Sequence, residues 1–277
     1  MSFCTWISNK VFPYLQGIEY LNMNNIDPRR ITDEAISYLK GIQHLLMSGC
    51  NQITDAAFIH LKGIKTLDMS GTNKSITNAA FVNLRGIQKL IMLGCNQSTI
   101  TDLAFANLRG IKYLNMGACY QETITDAAFS NFVGIHSLII GGCNQRTITD
   151  AAFAHLRGIQ TLDMSGCKQI TDAAFANLRG IKYLSISQCK QETITDTAFT
   201  NLAGIHTLNM SFCNQRTITD AAFANLTGIH TLHMSWCTQI TPNAMEYLVG
   251  IKSLMMTECN PATIRRAREL GLPIWPP

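Results

Sequence analysis

The stretch "GIQTLDMSGCKQITDAAFANLR" at residues 158–179 decides how the whole chain folds. Its first half, "IQTLDMSGC", sets apolar Leu162 and Met164 at alternate positions, which predicts a short strand with one buried face. Its second half, "ITDAAFANLR", carries Ile170, Ala174, Phe175 and Leu178 as one inward face and predicts a short helix. Thr171 stands where it can cap that helix, Asp172 lies in the first turn where a carboxylate favours the helix dipole, and Gly180 ends it. A unit this small cannot bury its apolar side alone and needs a neighbour of the same kind.

The neighbours are present. Gly-Ile recurs at Gly17, Gly41, Gly63, Gly86, Gly110, Gly134, Gly158, Gly180, Gly204, Gly228 and Gly250, in steps of 22 to 24 residues. Stacking such units lets each Leu, Met, Ile and Phe meet its own copy in the next turn, at roughly 1.5–3 kcal/mol per large buried side chain. At 47% hydrophobic and 14% charged residues the chain is too apolar for disorder, and it holds no apolar run of membrane-spanning length and no secretory leader pattern. A net charge of +4 is too small to argue for nucleic acid.

The pattern I-x-x-L-x-M-x-x-C followed by "ITD" resembles the cysteine-containing leucine-rich repeat, a subclass known from the repeat half of F-box ubiquitin-ligase adaptors and similar to repeat arrays of protists and large amoeba viruses. The resemblance implies an α/β leucine-rich-repeat solenoid: a curved horseshoe with a parallel sheet on the concave face and short α-helices on the convex face. One solenoid is expected over 1–277, with 1–17 a first repeat cut at its strand Met, 18–259 eleven strand-bearing repeats, and 260–277 a C-terminal cap. "MSFC" at 1–4 recurs at 210–213, and the offsets Cys4 to Ile7 to Gly17 match Cys50 to Ile53 to Gly63. The N-terminal turn, with Trp6, Ile7, Phe12 and Leu15, is therefore expected to leave an apolar end open to self-association. A chain that starts inside a repeat is also expected to have no F-box ahead of the repeats. The cap helix carries Arg265, Arg266, Arg268 and Glu269, which suits a polar outer face.

All ten cysteines (Cys4, Cys50, Cys95, Cys119, Cys143, Cys167, Cys189, Cys213, Cys237 and Cys259) fall at one repeat position, where Ile26 and Thr72 substitute. One thiol per turn predicts a ladder of buried, reduced side chains, hence an intracellular, cytoplasmic compartment. No C-x₂₋₄-C spacing suggests a metal, and no nucleophile–base set or phosphate loop departs from the repeat, so no catalytic residue, metal or cofactor is expected. His136, His206 and His230, with Lys65, Lys112, Lys182 and Lys252, form a mildly basic edge at the strand starts, joined by Arg85, Arg109, Arg157 and Arg179. It reads as a solvated edge.

Residues 100–169 and 170–239 align without a gap at an offset of 70, and "CNQRTITDAAFA" is identical at 143–154 and 213–224. At the twelve strand and strand-exit positions expected to face solvent, nine pairs differ; at the other 58 positions twelve differ. The largest changes are Ile139/Asn209, Gly142/Phe212, Asp163/His233 and Gly166/Trp236. Relaxed drift would produce such a bias too, but Asn107/Asn177 and Asn131/Asn201, expected on exposed helix positions, are unchanged. The pattern thus favours a diversified binding face. Strand neighbours lie about 4.8 Å apart, so Phe212 and Trp236 are expected side by side. Candidate partner-binding residues are Trp236, Phe212, His233, Asn209, Gln188, Tyr183 and Asp163, with a second patch at Lys89 and Ile91. The expected function is a non-enzymatic scaffold that binds a protein partner, not nucleic acid or membrane, on its concave face. The alternatives are the substrate-recognition part of a ubiquitin-ligase adaptor and a shortened repeat product with no selected partner.

Overall fold

The computed structural model describes residues 7–24, 26–71 and 75–275. Cys4, Trp6 and Thr72 lie outside the described residues. The chain divides into two compact units, one ending at Ile135 and the next beginning at His136.

The first unit holds five three-residue strands: β1 (Tyr20–Asn22), β2 (His44–Leu46), β3 (Thr66–Asp68), β4 (Lys89–Ile91) and β5 (Tyr113–Asn115). All pair in parallel and in chain order, with Leu21, Leu45, Leu67, Leu90 and Leu114 in one register row. The second unit repeats this with β6 (Ser137–Ile139), β7 (Thr161–Asp163), β8 (Tyr183–Ser185), β9 (Thr207–Asn209), β10 (Thr231–His233) and β11 (Ser253–Met255). Its register row is Leu138, Leu162, Leu184, Leu208, Leu232 and Leu254. The register does not slip because the 22- and 24-residue units differ between the cysteine and the Ile of "ITD", away from the strand. The unit read first from the sequence behaves as its pattern predicts: Leu162, Met164, Ile170, Ala174, Phe175 and Leu178 are all buried.

The helical half departs from the expected α-helix in one respect. Asp172–Phe175 and Asp196–Phe199 are single α-turns, whereas Asp150–His155, Asp220–Leu226 and Pro242–Leu248 are 3₁₀ segments. A 3₁₀ segment rises about 2.0 Å per residue against about 1.5 Å for an α-helix, so a short repeat can cover the length of its strand with fewer residues.

Three hydrogen-bond ladders tie consecutive repeats together. In the first, the "ITD" aspartate binds the threonine of the following repeat in two-pronged fashion. Asp172 Oδ1 accepts from the Thr195 N–H at 2.7 Å and Asp172 Oδ2 from the Thr195 hydroxyl at 2.6 Å. The same rung recurs from Asp150 to Thr171, Asp196 to Thr219 and Asp220 to Thr241. Each threonine oxygen also accepts the backbone N–H two residues on, as Thr195 does from Thr197. In the first unit Asn9 makes the equivalent rung to Thr32, which sets residues 7–17 in the helical half of a repeat.

In the second ladder, thiols donate to the carbonyl just past the strand of the preceding repeat. Cys189 donates to Met164, Cys213 to Ile186, Cys237 to Met210 and Cys259 to Met234, at 3.0–3.3 Å. The nine described cysteines are free and buried. Burial pushes the thiols of Cys167, Cys213 and Cys237 up, and those of Cys50 and Cys259 to about 11 and of Cys189 to about 12. They act as hydrogen-bond donors as well as small apolar groups.

The third ladder corrects an expectation. Asn177 and Asn201 are half-buried rather than exposed, and accept from Arg157 Nε at 3.1 Å and Arg179 Nε at 3.3 Å. Asn107 and Asn131 do the same for Arg85 and Arg109 in the first unit. Their constancy between the duplicated blocks therefore reflects this bonding and is no measure of free drift.

The ends differ. After the helix Pro261–Glu269 the chain returns along β11: Leu254 N–H donates to Pro273 and Trp275 N–H to Leu254. Arg266 links that helix to Glu246 of the preceding 3₁₀ segment and pairs with Glu269 within the helix. At the other end Ile7, Val11, Phe12, Leu15, Leu21 and Ile26 line an apolar recess of about 320 Å³.

Candidate strand-exit face of the second unit

Along each strand the central Leu points into the core, so its two neighbours face outward. On β9 and β10 this sets Asn209 and His233 in register beside each other, with Met255 of β11 next in the row. All three are half-buried. Desolvation holds the His233 imidazole below its ordinary pKa, so it is neutral at pH 7. Nearer β7, the Tyr183 phenol is pushed up by burial, with the negative charge of Asp163 adding to the effect.

Three residues past each strand end the backbone turns away, and here the structure supplies what the sequence pattern lacked. The turn residue has positive φ in every described repeat from β2 onward. It is glycine at Gly49, Gly71, Gly94, Gly142 and Gly166, but Ala118, Gln188, Phe212, Trp236 and Glu258 elsewhere, with φ between 52° and 65°. In the second unit the residues from Gly166 to Trp236 are held there by their own N–H groups. Gly166, Gln188, Phe212 and Trp236 donate to Ser187, Ser211, Ser235 and Thr257 of the next repeat at 2.8–2.9 Å. A residue with a Cβ in this left-handed region loses roughly 1–2 kcal/mol relative to the right-handed conformation, a penalty glycine escapes. Four consecutive repeats of the second unit carry that cost, at Gln188, Phe212, Trp236 and Glu258.

Because their backbones share one conformation and one register, the four side chains leave in parallel. Phe212 and Trp236 show this directly: their rings stack with centroids 5.7 Å apart and planes within 10°. Trp236 keeps 45% of its surface exposed, while Phe212 is half-buried. Gln188 and Glu258 flank the pair and are exposed.

The structure thus brings Gln188, Phe212, Trp236, Asn209 and His233 onto one surface, as the sequence expected. Tyr183 and Asp163 lie toward β7 on the same sheet; Asp163 turns inward to accept the Ser165 N–H at 2.9 Å and comes close to Gly141. A Cβ at Gly141 would sit 3.3 Å from its Oδ1. Where the later copy has Ser211 in place of that glycine, it has His233 in place of the aspartate. Lys89 and Ile91 belong to the first unit: Lys89 Nζ lies 4.7 Å over the Tyr113 ring and Ile91 is half-buried. Glu258 is legible in the sequence as the last member of the exit series Gln188, Phe212, Trp236, Glu258, though it is not among the candidate residues named above; sequence reasoning missed Met255, which lies outside the duplicated block.

A second exposed pair stands at the strand starts, where His206 and His230 stack at 4.4 Å. Among the described residues no three His, Cys, Asp or Glu side chains gather as metal ligands, and no helix is long and apolar enough to cross a membrane.

Strands in Leu-to-Leu register with a helical segment between each pair define a leucine-rich-repeat solenoid, with six strands built on one repeat in the second unit and five in the first. The model of the BspA type leucine rich repeat region matches in six copies, over residues 5–136 and 122–252, and the chain belongs to that family. A search of curated proteins returned no match.

Solved structures are similar in fold. A chain of the Drosophila Toll–Spatzle complex superposes with TM-score 0.67 at 12% identity, over 92% of this chain and 38% of that one. A chain of the mouse RP105/MD-1 complex gives 0.67 at 17%, over 92% and 45%, and one of the yeast Rad7 and Elc1 complex gives 0.54 at 16%, over 97% and 84%. The chain therefore spans less than half of the first two chains.

Proposed function

We propose that the protein is a non-enzymatic scaffold that binds a protein partner on the strand-exit face of its second unit, through Trp236, Phe212, His233, Asn209 and Gln188. The observation that carries this is the run of four side-chain-bearing residues in a backbone conformation that glycine occupies without strain. Large aromatics in such positions carry a backbone strain that their mutual stacking only offsets, and exposed aromatics with a polar rim dominate the energy of interfaces. Tyr183, Asp163 and the separate Lys89–Ile91 patch are peripheral in this reading. The free, buried thiols support a reducing, intracellular setting.

The test is affinity capture with wild type beside Trp236→Gly, which restores the residue of the other copy, and Lys89→Ala as a surface control. A partner held by wild type and Lys89→Ala but lost from Trp236→Gly supports the reading. A partner retained by Trp236→Gly sinks it.

The ladder of one cysteine per repeat favours a second, narrower reading: a cysteine-containing repeat of the ubiquitin-ligase adaptor kind, with substrate on the same face. Co-purification with a ligase core component distinguishes it. The apolar recess between Phe12 and Leu21 supports self-association through that surface, which light scattering reads as a concentration-dependent mass. If no partner and no self-association is found, the remaining alternative is a repeat product without a selected partner.

A further inference from the structure

The exit row is not a uniformly apolar strip. From β8 to β11 it runs Gln188, Phe212, Trp236, Glu258. Of the sixteen outward and exit residues of these four strands, Glu258 alone is formally charged at neutral pH. It is exposed, and among the described residues it has no ion-pair partner. Its Cα follows that of Trp236 in the register that pairs Thr231 with Ser253 and His233 with Met255. With φ of 57° against 65°, the two side chains leave the sheet the same way. Phe212 covers one side of the indole. The other side looks toward the β11 end of the row, where Glu258 is the next exit residue.

We infer that the indole of Trp236 and the carboxylate of Glu258 together form a receptor for an arginine side chain on an extended segment of the protein partner. This rests on the exit face being the binding face and names what that face recognises. A planar guanidinium stacks on an indole and at the same time donates to a carboxylate, two contacts that the point charge of a lysine does not combine. A purely apolar partner would leave Glu258 desolvated and unpaired, which is costly, and would give no reason for an acidic side chain to occupy a position that glycine takes without strain. The polar end of the row, Gln188, offers amide hydrogen bonds to the partner's backbone on the far side of Phe212.

The probe is a capped Gly-Ser peptide with one central arginine, compared with the same peptide carrying citrulline, which keeps the planar shape and loses the charge. Binding is followed by the indole N–H signal of Trp236 in the full chain, identified by its absence in Trp236→Gly. The arginine peptide is expected to bind at least tenfold more tightly than the citrulline peptide. Glu258→Gln should erase that preference, and Trp236→Gly, which lacks the indole reporter and is followed by titration calorimetry beside wild type, should abolish binding of both. Equal binding of the two peptides, a preference that survives Glu258→Gln, or no shift of the Trp236 signal overturns the inference. Melting curves of both variants establish that each is folded. Loss of a captured partner from Trp236→Gly, together with equal arginine and citrulline binding, would retain the face and reject the cation; a partner retained by Trp236→Gly rejects the face itself.

Discussion

Two neighbouring parts of the second unit, β6–β7 and β9–β10, are the same structure with different surfaces. Both carry a central Leu at the same register, both bury a phenylalanine in the helical half (Phe153 and Phe223), and both turn at the strand exit with nearly the same φ: 77° at Gly142 and 63° at Phe212, 67° at Gly166 and 65° at Trp236. The largest changes are in the outward side chains; in the core the buried Ile140 is matched by the buried Met210. The backbone did not relax to accommodate Phe212 and Trp236, because the N–H of each exit residue is committed to the next repeat. The core and the ladders hold the turn, and the turn displays whatever side chain stands there, at an energetic penalty that the rest of the repeat absorbs. In a solenoid each repeat contacts only its neighbours, so a surface can change in one repeat without disturbing the others.

If the frame is shared, damage to it must cost the same in either copy. Phe153→Ala and Phe223→Ala should each destabilise by about 3–5 kcal/mol, read from chemical denaturation. A large difference between them would show that the two frames are not equivalent.

The thiol ladder is a second shared element, with Cys119, Cys143 and Cys167 in one block matched by Cys189, Cys213 and Cys237 in the other. Native protein should react slowly with a thiol reagent at the described cysteines and fully after denaturation. Their thiols are raised on folding, so the unfolded chain releases protons first as pH climbs. The stability they contribute is whole below about pH 8.5, the ordinary thiol value, and is lost between there and about 11–12, where Cys50, Cys259 and Cys189 ionise in the folded state. Unfolding midpoints flat from pH 8 to 11 would contradict this, as would disulfides in freshly isolated protein.

Exchanging exit residues tests the surface alone. Trp236→Gly relieves the left-handed strain and gives up a ring stack worth about 0.5–1.5 kcal/mol, so stability should move by less than about 1 kcal/mol. Gly166→Trp acquires the strain without the stacked neighbour and should destabilise by about 1–2 kcal/mol. A sharp fall in melting temperature for Trp236→Gly would mean that the indole is part of the core.

The smallest effect is expected at His233. Its imidazole is depressed by burial, so the unfolded chain takes up a proton first as pH falls. The neutral side chain contributes fully above about pH 6.5, and stability declines from there to its lower folded value. His233→Asn should remove that slight acid-side decline; an unchanged pH profile would remove His233 from the account.

The repeat, its register and its core were open to reading in the sequence. Alternation at Leu162 and Met164, the run Ile170, Ala174, Phe175 and Leu178, and one cysteine per turn are patterns within a single unit, and the burial of apolar groups at those periods is decided locally. The adjacency of Phe212 and Trp236 followed as well, since equal spacing from the strand Leu puts equal positions side by side. What the tertiary structure decided concerns partners one repeat away. Asp172 reads as a dipole residue until Thr195 is seen to bind it, Cys213 as a small apolar group until it is seen to donate to Ile186, and Asn177 as exposed until Arg157 is found on it. The left-handed exit belongs to the same class. Glycine at Gly142 and Gly166 suggests a turn, but Phe212 and Trp236 at the matching positions conceal it, because the conformation is imposed by hydrogen bonds from the neighbouring repeat rather than chosen by the residue that adopts it.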